Sequence, residues 1–333
     1  MTGPALIPAE WSPHRAMWLG YPSHAELWKE DLDAAREEVA ALARAMAGPG
    51  AERVRLMVCG EEAEQDARAR LADTSGVEIV RGLFGDIWLR DTGPIFSSDG
   101  RALGFRFNGW GGKYEMEGDD QVAAQIAAAS GAPLVPNDFI LEGGALDHDG
   151  YGTVLTTRQC LINPNRNAEW DEAAAEAALG AALGATKVLW LGEGLNRDHT
   201  DGHVDNLARF VAPGVIACPI AWGRADPNAA IYDETARMLG AMTDARGQRI
   251  QVMRVPSPGW TTDSDGEMVP ASHMNFIIAN KAVICPIYDE KAGAFALDAL
   301  ASLFPERKVI GLPSSAILTG GGSFHCITQQ EPA

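Results

Sequence analysis

The chain has 333 residues, 46% of them hydrophobic, which is enough to bury a large core. Its 27 Lys and Arg face 45 Asp and Glu, a formal net charge of −18 that repels phosphates and argues against nucleic-acid or anionic-membrane partners. No apolar run nears the roughly 20 residues that span a bilayer, and five cysteines without CxxC spacing point to reduced thiols rather than a disulfide framework.

The amino-terminal MTGPALIPAEW lacks the basic-then-apolar pattern of a signal peptide, so the cytoplasm is the expected compartment. The segment AMWLG at 16–20 reads as a strand. A helix is predicted over 27–47, with Leu, Ala and Val at helical spacing and a stop at Gly48-Pro49-Gly50. Further helices are predicted over 61–72, 119–129, 168–183, 228–242 and 289–303. Apolar strands are predicted over 187–190 and 249–255.

Between these helices one unit recurs. A polar stretch leads into an apolar strand, a turn, and a second apolar strand. The turns fall at Asp99-Gly100, Asp149-Gly150, Pro213-Gly214 and Asn280-Lys281. A fifth unit, GGGSFHCITQQEPA, runs out after one strand, and the strand at 16–20 is the expected partner. Asp86, Glu142, His203, Asn275 and Cys326 anchor the five units at intervals of 51 to 72 residues. Such spacing suggests a repeat architecture, and the absence of a linker suggests a single domain over 1–333.

If the units pack about a common axis, their polar starts converge. One site then receives Asp91, Glu142, His203 with Asp205, Asn275 and Cys326. Cys326 is the candidate nucleophile, because it follows three glycines and has polar neighbours. Cys59, Cys160, Cys218 and Cys285 border apolar strands and read as small buried hydrophobes. His325 would point away from Cys326 on a strand, so His203 is the candidate base. His14, His24 and His148 read as surface or structural. In HTDGHVD, an extended chain would put His199, Asp201, His203 and Asp205 on one face. That face admits a rival reading, a metal-dependent hydrolase. Neither GxGxxG nor a P-loop is present.

The ordered motifs GDIWLRDTGP, FNGWGGKY, LEGGALDHDG, LINPNRN, DGHVDN, ASHMNFIIAN and GGGSFHCITQQ resemble the agmatine deiminase / bacterial-type peptidylarginine deiminase family over about 8–330. The resemblance implies the pentein fold, an α/β propeller of five ββαβ-type units around a pseudo-fivefold axis. It implies Cys326 as nucleophile, His203 as general acid/base, and Asp91 and Asp205 as guanidinium-binding carboxylates. Glu142 would orient the histidine, Trp88 would wall the guanidinium pocket, and Asn275 would line the site. The implied reaction is hydrolysis of agmatine to N-carbamoylputrescine and ammonia through an amidino-cysteine, in polyamine synthesis. Arginine or peptidylarginine is the alternative substrate. The expected partner is a small cationic guanidine compound, the assembly to test is a homodimer, and no metal or organic cofactor is expected. Four positions depart from the family pattern: His199, often acidic in related deiminases, Met274, and the pair Ser323-Phe324.

Overall fold

Each hairpin closes at its turn residues. Asp149 shows the local cause: its carboxylate accepts from the backbone N–H groups of Tyr151 and Thr153, while Gly150 takes the left-handed φ of +75° that the turn needs. The computed structural model describes residues 6–263 and 266–333. The signal-peptide reading rests partly on residues 1–5, outside that range.

Among the described residues the strands form five sheets. In the first unit, Ile95–Phe96 pairs antiparallel with Ala102–Arg106, and the helix Val122–Ser130 returns the chain to the parallel strand Leu134–Ile140. The second unit repeats this with Asp147–His148, Thr153–Thr157, the helix Glu172–Leu183 and Lys187–Leu191. The third uses Arg209–Ala212, Val215–Ile220, the helix Ala229–Ala241 and Gln251–Pro256. The fourth uses Ile277–Ile278, Ala282–Ile287, the helix Glu290–Leu303 and Lys308–Pro313.

The fifth sheet joins the two ends of the chain. Thr328–Pro332 pairs antiparallel with His14–Gly20, in the register Met17 to Gln330, Trp18 to Gln329 and Leu19 to Thr328. The strands Val54–Val58 and Val77–Arg81 extend it in parallel. The expected closure by residues 16–20 is thus present. The architecture is the α/β pentein propeller of five ββαβ-type units.

Each sheet packs its apolar face on its helix. Leu179 and Leu183 meet Leu103, Val154, Val188 and Trp190 in one such cluster. Burying one leucine this way contributes about 2–3 kcal/mol. The centre, by contrast, is polar: Glu10, Asp147, Arg209, His325 and Asp205 are all buried there.

One helix differs from its prediction. The stretch over 27–47 breaks into a turn Ala25–Trp28, a 3₁₀ turn Lys29–Asp31 and the helix Leu32–Ala47, with Lys29 at φ +49°. Long-range contact overrides the helical spacing here. The Trp28 indole turns inward and donates to Asp86 Oδ1 at 3.0 Å. No helix among the described residues is long and apolar enough to cross a membrane.

Candidate active site

The polar residues sit in or beside short turns before the hairpins: Asp91 in Leu89–Thr92, Glu142 and His203 just ahead of Gly143–Ala145 and Val204–Asn206, Asn275 just after the turn at 273–274, and Cys326 in the turn at 324–327. A tight turn holds its side chains close together beneath the next strand. It also overturns the extended reading of HTDGHVD. Asp201 and Gly202 both adopt positive φ, and the four side chains go to different partners. His199 Nδ1 meets the Tyr114 hydroxyl at 2.9 Å, and the two rings stack. Asp201 accepts from Asn165 at 2.9 Å and is also engaged by Lys113 and Arg166. Asp205 pairs with His325. The four therefore do not form a ligand set, and the metal-hydrolase reading of this face is withdrawn.

Cys326 Sγ lies at the floor of a cavity of about 390 Å³. Trp28, Asp86, Trp88, Asp91 and Trp110 line its depth. Glu30, Asp31, Tyr114 and His199 line it nearer solvent. Four carboxylates against Lys29 make the lining suited to a cation. Gly320 and Gly322 let the chain press against the indoles: a Cβ at either position would lie within 3 Å of Trp88. Glu142, His203, Asp205 and Asn275 sit behind the cavity wall, each almost fully buried.

Asn275 fixes the thiol. Its Nδ2 donates to Sγ at 3.2 Å and to Asn206 Oδ1 at 2.9 Å, while its Oδ1 accepts from the N–H of His325 at 2.8 Å. Asp205 Oδ2 lies 3.7 Å from Sγ, and Asp205 Oδ1 is buried without a hydrogen-bond partner among the described residues. Asp91 is held by Gly144 N–H and by the Trp110 indole, both at 2.9 Å. His203 Nδ1 stands 3.7 Å from Asp91 Oδ1, and its Nε2 stands 3.7 Å from Glu142 Oε2. Those are ion-pair distances, too long for hydrogen bonds.

Electrostatics assigns protons to these groups. Burial, then the charges of Asp205 and Asp91, push the Cys326 thiol well above its ordinary range. Burial works against a charged His203, yet Asp91, Cys160 and Glu142 outweigh it and hold the imidazole well above its usual value. Burial likewise opposes a charged Glu142, and His203 and Arg166 outweigh it. The Asp205 carboxyl is lowered, because His325 outweighs its burial. The surroundings thus favour the neutral form of the Cys326 thiol and the protonated form of His203.

Three partners escaped the sequence reading. Cys160 is buried as expected but not inert in its setting, since its Sγ lies 3.9 Å from Glu142 Oε2 and, with His203, it completes a cluster of three potential ligand atoms. Arg166 lies behind Glu142, donating to Oε1 at 2.8 Å. Glu10 also belongs here and carries no local periodic signal, and Asp86, the anchor of the first unit, joins the site. Asp86 accepts from both indoles, at 3.0 Å from Trp28 and 2.7 Å from Trp88. Burial pushes its carboxyl up to about 6. Asp86 thus favours folding at acid pH, and that contribution is lost as the pH rises through about 6. Tryptophan fluorescence is expected to change with a midpoint near that pH, and Asp86→Asn is expected to remove the transition. A pH-independent emission in the wild type would contradict it.

Gly144 makes a second prediction. A Cβ there would lie 2.6 Å from His203 Nδ1 and 2.7 Å from Asp91 Oδ1. Gly144→Ala is therefore expected to cost about 1–3 kcal/mol of stability and to displace both groups, slowing turnover by about a hundredfold. Thermal denaturation and an ammonia assay check both effects.

Five ββαβ units around one buried polar centre, with a thiol facing carboxylates across a cavity, define a pentein enzyme that hydrolyses a guanidino C–N bond. The chain belongs to the Porphyromonas-type peptidyl-arginine deiminase family, whose model matches residues 6–332. An agmatine deiminase from Ectopseudomonas mendocina is 36% identical over 357 residues, covering 98% of this chain and 95% of the relative. The solved agmatine deiminase of Enterococcus faecalis superposes with a TM-score of 0.92 at 31% identity, covering 100% of this chain and 98% of that one. A substrate-bound cysteine-to-serine variant of the C. jejuni agmatine deiminase gives 0.89 at 28% identity, covering 99% and 96%.

Proposed function

We propose that this chain is an agmatine deiminase, which hydrolyses agmatine to N-carbamoylputrescine and ammonia and so feeds putrescine synthesis. The observation that carries the reading is the position of Cys326 on the cavity lining together with Asp91, its Sγ 3.7 Å from Asp205 Oδ2. A planar guanidinium presents paired N–H donors, and Asp91 and Asp205 supply the matching carboxylates. Binding cancels the two charges that hold the thiol up, so the thiol gives its proton to solvent as substrate settles.

The thiolate attacks the guanidino carbon and forms a C–S bond. A C–N bond then breaks, and His203 gives its proton to the departing ammonia. An amidino-cysteine remains. His203, now neutral, takes a proton from water as that water attacks the same carbon. The C–S bond breaks, the hydroxyl proton passes to the departing sulfur so that the thiol is restored, and the neutral ureido product leaves. Glu142 keeps His203 in place, and Trp88 walls the pocket. Residues 1–333 act as one catalytic domain in this reading, in the cytoplasm, with a homodimer as the assembly to test.

The cavity mouth favours agmatine over arginine. Glu30 and Asp31 attract a distal ammonium and repel an α-carboxylate. None of Arg166, Arg197 and Arg224 lines the cavity to hold that carboxylate. The two mouth carboxylates also supply the negative charge that His199 lacks. A panel of agmatine, arginine and an arginyl peptide tests the reading. Ammonia and ureido product from agmatine, at least about tenfold faster per enzyme than from the others, support it. Preference for arginine or the peptide would overturn it.

A further inference from the structure

We propose that Glu10 and His325 are positioning residues that act on Asp205 from behind the cavity wall and aim its free oxygen at the guanidinium. The proposal rests on the deiminase reading. The three side chains form a buried row. His325 Nδ1 lies 2.8 Å from Asp205 Oδ2, and His325 Nε2 lies 3.0 Å from Glu10 Oε2. A ring flanked by two carboxylates needs a proton on each nitrogen to bond both. The row thus runs carboxylate, imidazole ring, carboxylate. It is fixed at its far end, because Glu10 Oε1 accepts from the N–H of Ile278 at 2.7 Å and Arg209 engages Oε2. At its near end His325 occupies Asp205 Oδ2 and leaves Oδ1 without a partner among the described residues. Neither Glu10 nor His325 lines the cavity.

The surrounding charges make the row directional. Arg209 sits between Glu10 and Asp147, and Arg90 and Arg307 lie within reach of Glu10. Asp205 faces His203, Asn275 and Cys326 as well as His325. Asp147 keeps Arg209 paired if Glu10 loses its charge, whereas among the described residues His325 pairs only with Glu10 and Asp205. Removing the Glu10 charge is therefore felt by His325, and through it by Asp205.

Glu10→Gln keeps the shape and one acceptor oxygen but removes the charge. The acid limb of kcat/KM for agmatine is expected to move up by about one pH unit. Binding of methylguanidinium, measured by calorimetry on the acid side, is expected to weaken about tenfold. His325→Gln is expected to move both readouts the same way. Glu10→Asp, which keeps the charge, is expected to return the limb to its wild-type position. Wild-type limbs and affinities in Glu10→Gln and His325→Gln would overturn the proposal. So would equal losses of melting temperature and kcat in all three variants with the limb unmoved, which marks a structural role only. If the wild type releases no ammonia from agmatine, the deiminase reading fails instead, while methylguanidinium binding still reports on Glu10.

Discussion

Cys326→Ala is expected to lower kcat for ammonia release by at least about a thousandfold, as loss of a covalent nucleophile does. Folding should be little affected. The Cys326 side chain is buried at the cavity floor, and Asn275 retains its bonds to Asn206 and to the backbone N–H of His325. Alanine also removes a group that burial, Asp205 and Asp91 hold neutral. Agmatine is expected to bind the variant at least as tightly as the wild type, because Asp91 and Asp205 remain. Parallel titrations by calorimetry and by ammonia release separate the two quantities. Turnover within tenfold of wild type would show that the thiol is not the nucleophile.

His203→Gln is expected to slow turnover by about a hundred- to ten-thousandfold, the range for a lost general acid and base. The loss has two parts. Departing ammonia has no proton donor, and the water that releases the product has no base. Asp91 and Glu142 also lose the cation that stands 3.7 Å from each. Since His203 is held well above its ordinary value, the wild-type rate should persist to alkaline pH before the proton on His203 is lost. The variant should lack that alkaline limb. Rate measurements across neutral and alkaline pH check both the size and the shape of the effect.

The repeat architecture was legible because its signals are local. Turn pairs such as Asp99-Gly100 and Asn280-Lys281 mark the hairpins without any tertiary information. The ring closure was legible by elimination, since the last unit lacks a strand and the first strand lacks a unit. The site was legible where one polar residue opens each unit. It failed where distance along the chain carries the contact. Glu10 meets His325 across 315 positions, and no spacing rule links them. Cys160 read as a core thiol because Leu161 and Ile162 follow it, yet Glu142 from the start of its own unit and His203 from the next unit reach it. Position 29 read as helix because 27–47 has helical spacing, yet the bond from Trp28 to Asp86 breaks the helix there. HTDGHVD read as extended because alternation is the simplest pattern, whereas Gly202 at φ +87° lets it turn.

Rapid quenching of the wild-type enzyme during agmatine turnover, followed by peptide mass analysis, tests the central claim that Cys326 carries the reacting carbon. The account predicts a transient mass increase equal to agmatine less ammonia on the peptide containing Cys326, and on no other cysteine. Fast turnover without any adduct, or an adduct on Cys160, would contradict it.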